Sequence, residues 1–451
     1  MIFKSVGKDK RRTEVRRAEL GTLREAVRAA TEIRGRAAAA LHGGQAGEAL
    51  ALLDPQVDRW RREAILAPHI VVELLAGAQT LRAVALDRLG RPAEALLACE
   101  EALTRYRATE ARSIEAQRQV SVLLALRVRT VEAMRAAGSG TGEAVGDDDE
   151  FARVLEESLE ILGGLPEGPE RIVRWLVWNR KLIRRYFESG RTDDGVAFLR
   201  RIIAELPQVR LELQQKPTFA MAEAVAAFVG SAVWLVKAGE PELAARFADE
   251  CATLLESVSS VDLDEAQRLK FAHRLGIDAI ALNALGIGGS SFPYFSAAVA
   301  QFRAVDYLRN KDIETRRMYA ECLTGLAWEL ACRGEPEAAL PVALEAVESH
   351  RGLVDGESSA TLGDVANALD TLATVRAQLG AMDGALEAAR EARALALRRA
   401  EAVEVSGDAD KAVGARQFAE VVGELITMIE RGATGGFTER GSRWRVAGNV
   451  G

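Results

Sequence analysis

The sequence predicts an all-α protein, an α-solenoid of about eight to nine antiparallel helix pairs stacked in chain order, and three observations carry that prediction. Glycine landmarks Gly44, Gly90, Gly138, Gly190, Gly239, Gly288, Gly334, Gly380 and Gly432 recur every 46 to 52 residues. Ala, Leu, Arg and Glu, all strong helix formers, dominate a composition with only 11 Pro and 5% aromatics. β-Branched runs at period two are missing, which argues against a sheet. In such an array each unit buries its apolar face only against its neighbours. The core then grows with length rather than radius, so 451 residues are read as one continuous repeat domain.

Taken from the N-terminus, residues 1–20 hold seven Lys or Arg against three acids and form a basic arm. Residues 21–431 are the helical repeat domain, and residues 432–451, TGGFTERGSRWRVAGNVG at their core, are a basic tail that has lost helical character. Residues 1–20 and 431–451 carry about +4 and +3 of a total of −7, so the body between them is acidic at −14. Phe437 and Trp444 either fold back on the end of the stack or stay in solvent. Residues 138–150, GSGTGEAVGDDDE, are small, acidic and flexible and interrupt the third unit as a loop.

Each landmark separates two helical stretches. HIVVELLAGAQTLRAVALDRL precedes Gly90 and RPAEALLACEEALTRYR follows it. Pro92, Pro241 and Pro336 open the second helix, where the missing N–H is harmless and the fixed φ suits the first turn. Glu94, Glu242 and Glu337 come two or one residues later and place negative charge where the helix dipole favours it. Small residues recur at fixed offsets from the landmarks. Seven positions before stand Ala37, Ala83, Ala232, Ala281, Ala327 and Ala373; five after stand Ala49, Ala95, Gly195, Ala244, Ala339 and Ala385. Twelve after come Ala102, Cys251, Ala300, Ala346 and Ala392. Small side chains there let paired helices approach closely.

On these positions the chain resembles the tetratricopeptide repeat family over most of residues 24–431. The units at Gly90, Gly239, Gly334 and Gly380 match all three offsets. The resemblance implies a right-handed superhelix whose concave groove is lined by the first helix of each pair. Ordinary members repeat every 34 residues, whereas the mean spacing here is 48.5, so each helix is about two turns longer. Long-helix versions of this kind are similar to the repeats of bacterial signal-transducing regulators.

The sequence opposes several functional classes. His42, His69, His273 and His350 fall in different units, with no HxxxH, GxSxG or Cys/His signature, so no catalytic residue, metal site or cofactor is expected and the chain is read as a non-enzyme. The loop GIGGSSF at 286–292 lacks the Lys-Ser/Thr ending of a phosphate loop and reads as a turn. Asp147, Asp148 and Asp149 lack the ligand spacing of a calcium loop and read as a solvated charge run. The acidic body opposes nucleic acid as a partner. The most apolar stretch, Ala224–Val236, covers 13 residues, too few to span a bilayer, so no membrane role is expected. MIFKSVGKDKRR lacks the apolar segment of a signal peptide. Cys99, Cys251, Cys322 and Cys332 lack CxxC spacing and read as small buried residues, so a cytoplasmic location is expected. The Ala, Arg and Gly content points to a GC-rich bacterial genome.

One helix, ERIVRWLVWNRKLIRRYFES from Glu170 to Ser189, draws the candidate site. Helical spacing aligns Arg171, Arg174, Trp178, Lys181 and Arg185 in one stripe. The family resemblance puts that stripe in the groove, where Arg118, Arg127, Arg129 and Arg135 of the preceding first helix join it. Clustered guanidinium groups hold carboxylates or phosphates through several contacts at once. Arg268, Lys270, His273 and Arg274 form a lesser candidate, and Trp234 and Trp328 read as packing residues. The expected function is therefore a scaffold binding a protein or an acidic peptide in the groove. The alternative is a ligand- or peptide-responsive regulator acting on a separate effector chain.

Overall fold

The computed structural model describes residues 25, 27–64, 68–108, 114–138, 148–165, 167–215, 217–287, 289–305, 312–353, 359–433 and 435–438. The basic arm 1–20, most of the acidic loop with Asp147, Gly288, and the tail from residue 439 with Trp444 lie outside them. Among the described residues there is no strand, so the fold is all-α.

The chain divides into two compact units, Met1–Glu167 and Gly168–Gly451. The first unit holds α1 (27–42), α2 (Ala46–Ala64), α3 (Pro68–Arg88), α4 (Pro92–Ala108), α5 (Ile114–Gly138) and α6 (Asp148–Gly163). From α2 to α6 each helix packs on the next, and α3 also packs on α5. The second unit opens with α7 (Pro169–Glu188), α8 (Thr192–Gln215), α9 (Phe219–Val229), α10 (Ala232–Lys237) and α11 (Pro241–Ser257). It continues with α12 (Glu265–Ala284), α13 (Phe292–Ala304), α14 (Ile313–Cys332), α15 (Pro336–Arg351), α16 (Ser359–Gln378), α17 (Met382–Val405) and α18 (Ala409–Glu430). Within this unit α7, α9, α12, α14, α16 and α18, the first helices of successive pairs and the terminal helix, pack side by side in that order.

The hairpins are made by one recurring turn. At Gly334, the Gly N–H donates to the Ala331 carbonyl at 3.1 Å and the next N–H, of Glu335, donates to Leu330 at 3.0 Å. That pair of bonds closes a helix C-terminus and needs φ near +75°, which glycine alone adopts without a Cβ penalty. The same bonds occur at Gly44, Gly90, Gly190, Gly239, Gly380 and Gly432, all with positive φ.

Two landmarks move. In the sixth unit the turn glycine is Gly286 (φ 69°), whose N–H donates to Asn283 while that of Ile287 donates to Leu282. Counted from Gly288, Ala281 is half-buried and Ala300 is exposed; counted from Gly286, the three offset positions are Ala279, Ser291 and Ala298, and all are fully buried. The register read from sequence is therefore two residues late. A further turn at Gly407 (φ 85°) is absent from the sequence landmarks, and its offset positions Ala400, Ala412 and Ala419 are buried. Helix α17 thus closes the pair begun by α16 and, with its other end, opens one with α18. Gly138 is the last residue of α5, and residues 139–147 lie outside the described ones. At the remaining units Ala37, Ala83, Ala232, Ala327, Ala373, Ala49, Ala95, Ala244, Ala339, Ala385, Ala102, Cys251, Ala346 and Ala392 are all buried.

The core of the second unit gains aromatic contacts that composition alone does not place. Phe228 meets Phe247 edge-on at 5.3 Å between centroids, and Phe302 meets Tyr319 at 5.6 Å. Trp328 is buried, and Trp234 stacks on Phe187 at 5.8 Å. Cys332 is exposed while the other three cysteines are buried, a departure from the expectation for all four. The apolar helical stretch is also longer than expected: Phe219–Lys237, 19 residues, is long and apolar enough to cross a membrane by length and composition. It is interrupted at Gly230 and Ser231, 56% of its apolar window is buried, and α9 packs on α7, α11 and α12.

Candidate functional site

The predicted stripe on α7 is not an open basic surface. Trp178 and Arg185 are only 4% and 3% exposed, because α7 is packed by both α8 and α9 and keeps little free perimeter. Arg171 pairs with Glu212 of α8, itself buried. Arg174 lies 3.3 Å from Glu170, and burial pulls its pKa below the usual arginine value. Arg185 lies 3.7 Å from Glu188, and Lys181 is half-buried. In the first unit Arg127 is buried between Glu100 and Glu157, the latter at 2.9 Å, and Arg135 lies over the Phe151 ring at 5.9 Å. Arg129 pairs with Asp87 at 2.6 Å. The buried acid that neutralises Arg171 comes from the neighbouring helix, which spacing along one helix does not reveal.

The members of the lesser candidate likewise have partners within the chain. Lys270 pairs with Glu223 at 2.6 Å, Arg274 with Asp278 at 3.1 Å, and His273 shares a hydrogen bond with Thr315 at 3.0 Å. Arg268 bonds Gln301 at 3.2 Å. Arg171 nevertheless borders a cavity of about 310 Å³ between α7 and α8, walled by Ile172, Trp175, Gln208 and Val209.

A second cavity, of about 290 Å³, is not legible in the sequence. Three adjacent first helices build its walls: Ile280 and Asn283 from α12, Glu321, Thr324 and Gly325 from α14, and Gly363, Asp364 and Asn367 from α16. Phe295, His350 and Arg399 close it from α13, α15 and α17. Asn283, Gly325 and Asn367, each 42 residues after the one before, mark the short stretch that each first helix contributes to the cavity. Two glycines make room: a Cβ at Gly325 would run into the Phe295 ring, and one at Gly363 into the Arg399 guanidinium.

The polar groups of this cavity divide into those used by the fold and those left over. Arg317 donates to Glu321 at 3.1 Å and lies 3.2 Å from Asp364, so two carboxylates share one guanidinium. Burial raises the pKa of both; the charges of Asp364 and Glu314 add to this for Glu321, while Arg317 and Arg399 oppose it for Asp364. Thr324 donates to the Ala320 carbonyl, which leaves its oxygen to accept from Nε2–H of His350 at 3.2 Å. Burial pushes that imidazole down to about 4, so His350 is neutral near pH 7. The side-chain amides of Asn283 and Asn367 have no hydrogen-bond partner among the described residues. Nor does Arg399 form an ion pair there, and its Nε is buried without a hydrogen-bond partner. No group of three metal-binding side chains occurs among the described residues.

The repeated glycine turn and the buried small residues at fixed offsets from it decide the architecture. These units are helix hairpins closed by one turn and stacked in chain order within each unit of the chain. No protein-family model matches the chain, and no curated protein matches it in sequence. Among solved structures it is similar to a circular tandem repeat protein with novel repeat topology, at 15% identity over 93% of this chain and 89% of that one, with a TM-score of 0.26. The TPR domain of P58(IPK) is 13% identical over 89% and 97%, with a TM-score of 0.20. The APC/C hetero-tetramer Cut9–Hcn1 is 12% identical over 89% and 90%, with a TM-score of 0.16.

Proposed function

We propose that this protein is a non-catalytic scaffold that binds a peptide or partner segment on the face built by α12, α14 and α16. The observation that carries this reading is the pair of unpartnered amides, Asn283 and Asn367, on two first helices at one cavity. An asparagine side chain offers a donor and an acceptor together and so matches a backbone amide of an extended segment. Rigid helices present both amides, which lowers the ordering cost on binding. The acidic peptide expected from sequence finds no open basic surface on α7, where Arg171 and Arg174 already pair with Glu212 and Glu170. Buried free thiols at Cys99, Cys251 and Cys322 support a reducing compartment such as the bacterial cytoplasm.

A displayed peptide library selected on the wild-type protein tests the reading. Selected peptides should lose about tenfold or more in affinity on the double variant Asn283→Ala, Asn367→Ala, as expected when two hydrogen bonds to a buried amide are removed. Peptides that bind both proteins equally would move the site elsewhere. A second reading, a regulator that responds to a small ligand, is favoured by the size of the cavity, whose about 290 Å³ matches the lower end of small-molecule sites.

A further inference from the structure

The cavity at α12, α14 and α16 carries two unmet demands of opposite sign. One is Arg399: its guanidinium reaches the wall because Gly363 has no side chain, its charge is felt by Asp364 without an ion pair forming between them or with any other described residue, and its Nε is buried without a hydrogen-bond partner. Arginine is found buried where a carboxylate or similar acceptor meets its fork of donors. The other is the pair Glu321 and Asp364. Each gives one oxygen to the shared Arg317, and the second oxygen of each has no hydrogen bond among the described residues. An anion alone would answer Arg399 and be repelled by the two acids, and a cation alone would leave Arg399 unanswered. A ligand that satisfies both must carry an anion and a cation a few ångströms apart.

We propose that this cavity is a site for a free α-amino acid, with its carboxylate on Arg399, its ammonium between Glu321 and Asp364, and its side chain toward Ile280 and Phe295. The assignment rests on the reading of this cavity as the binding site and deepens its ligand-responsive form. Asn283 and Asn367 flank the ends and donate to or accept from either. Neutral His350 adds no competing charge. The volume accommodates an amino acid and excludes a folded partner.

The test is isothermal titration of the full chain with each of the twenty amino acids in the millimolar range, followed by the N-acetyl and amide derivatives of the tightest one. At least one free amino acid should bind, and blocking either end should weaken it about tenfold or more, the scale of a lost charge-assisted hydrogen bond. Arg399→Gln should abolish sensitivity to blocking the carboxylate, and Asp364→Asn should reduce sensitivity to blocking the amine. Gly363→Ala provides a variant that disturbs only position: its Cβ displaces the Arg399 tip while helix content by circular dichroism stays unchanged, and binding should weaken as in Arg399→Gln. Absence of binding by all twenty, or equal binding of free and blocked forms, overturns the proposal. If library peptides bind through Asn283 and Asn367 while no free amino acid does, this inference fails and the scaffold reading stands.

Discussion

Single glycines set both the turns and the cavity, and they do so for different reasons. Gly334 sits at φ 75°, where any Cβ is strained, so Gly334→Ala should destabilise by about 1–2 kcal/mol, read as a lowered midpoint of urea unfolding. Gly325 is helical, and its demand is steric: an added Cβ runs into the buried Phe295 ring, which must shift out of its packed position. Overpacking of that kind should cost about 1–3 kcal/mol in Gly325→Ala. Gly363→Ala should instead leave stability unchanged or raise it by up to about 1 kcal/mol, because the atom it meets is the mobile end of Arg399 and alanine is the better helix former. Titratable residues add a pH signature. His350 has an unfolded value near 6.5 and a folded value of about 4, so its contribution is intact above the unfolded value and is lost as pH falls toward 4. Asp278 runs the other way: burial lifts it from 3.8 to about 6, so the folded state takes up protons first and gains stability as pH falls through that window. Thermal melts between pH 7 and 4 should therefore show a flatter profile in His350→Gln and a steeper acid loss in Asp278→Asn.

At the scale of elements, the helix pairs are readable in the sequence because one turn geometry requires glycine and one packing geometry requires alanine, and both leave marks at fixed offsets. The misplacement at Gly288 arises where two turn glycines, Gly286 and Gly289, compete within GIGG; only the buried set Ala279, Ser291 and Ala298 decides between them. The turn at Gly407 is hidden from a period of helix pairs because it comes after Gly380 by a single helix. The α7 stripe shows the limit of spacing arguments. A helix with packed neighbours on two sides buries basic residues against acids from another helix, as Arg171 does with Glu212. Glu212→Ala should consequently destabilise more than Glu170→Ala, since both arginines are 18% exposed but Glu212 is buried at 6% and Glu170 stands in solvent at 81%. A gap of about 2 kcal/mol or more between the two unfolding free energies is expected, and equal values would show that Arg171 reaches water in solution.

At the scale of the molecule, the candidate cavity is invisible to sequence because its walls come from residues 280 to 399, contributed by six helices, no two of which form a short motif. What makes it a unit is the stacking of α12, α14 and α16, all of which lie within residues 168–451. In a repeat array stability is close to a sum of units and nearest-neighbour interfaces, so a block of adjacent units retains its internal packing when the chain outside it is removed. The polypeptide 168–451 contains every helix that walls the cavity and the neighbours on which those helices pack. It should fold by itself, giving a helical circular dichroism spectrum and hydrogen-exchange protection of α12, α14 and α16 equal to that in the full chain. Protection that falls selectively in α7 to α9 would place the loss at the end next to the cut and leave the cavity helices independent of it. Uniform loss across α12 to α16 would instead mean that the two units fold as one, and the cavity would then owe its shape to residues before Gly168.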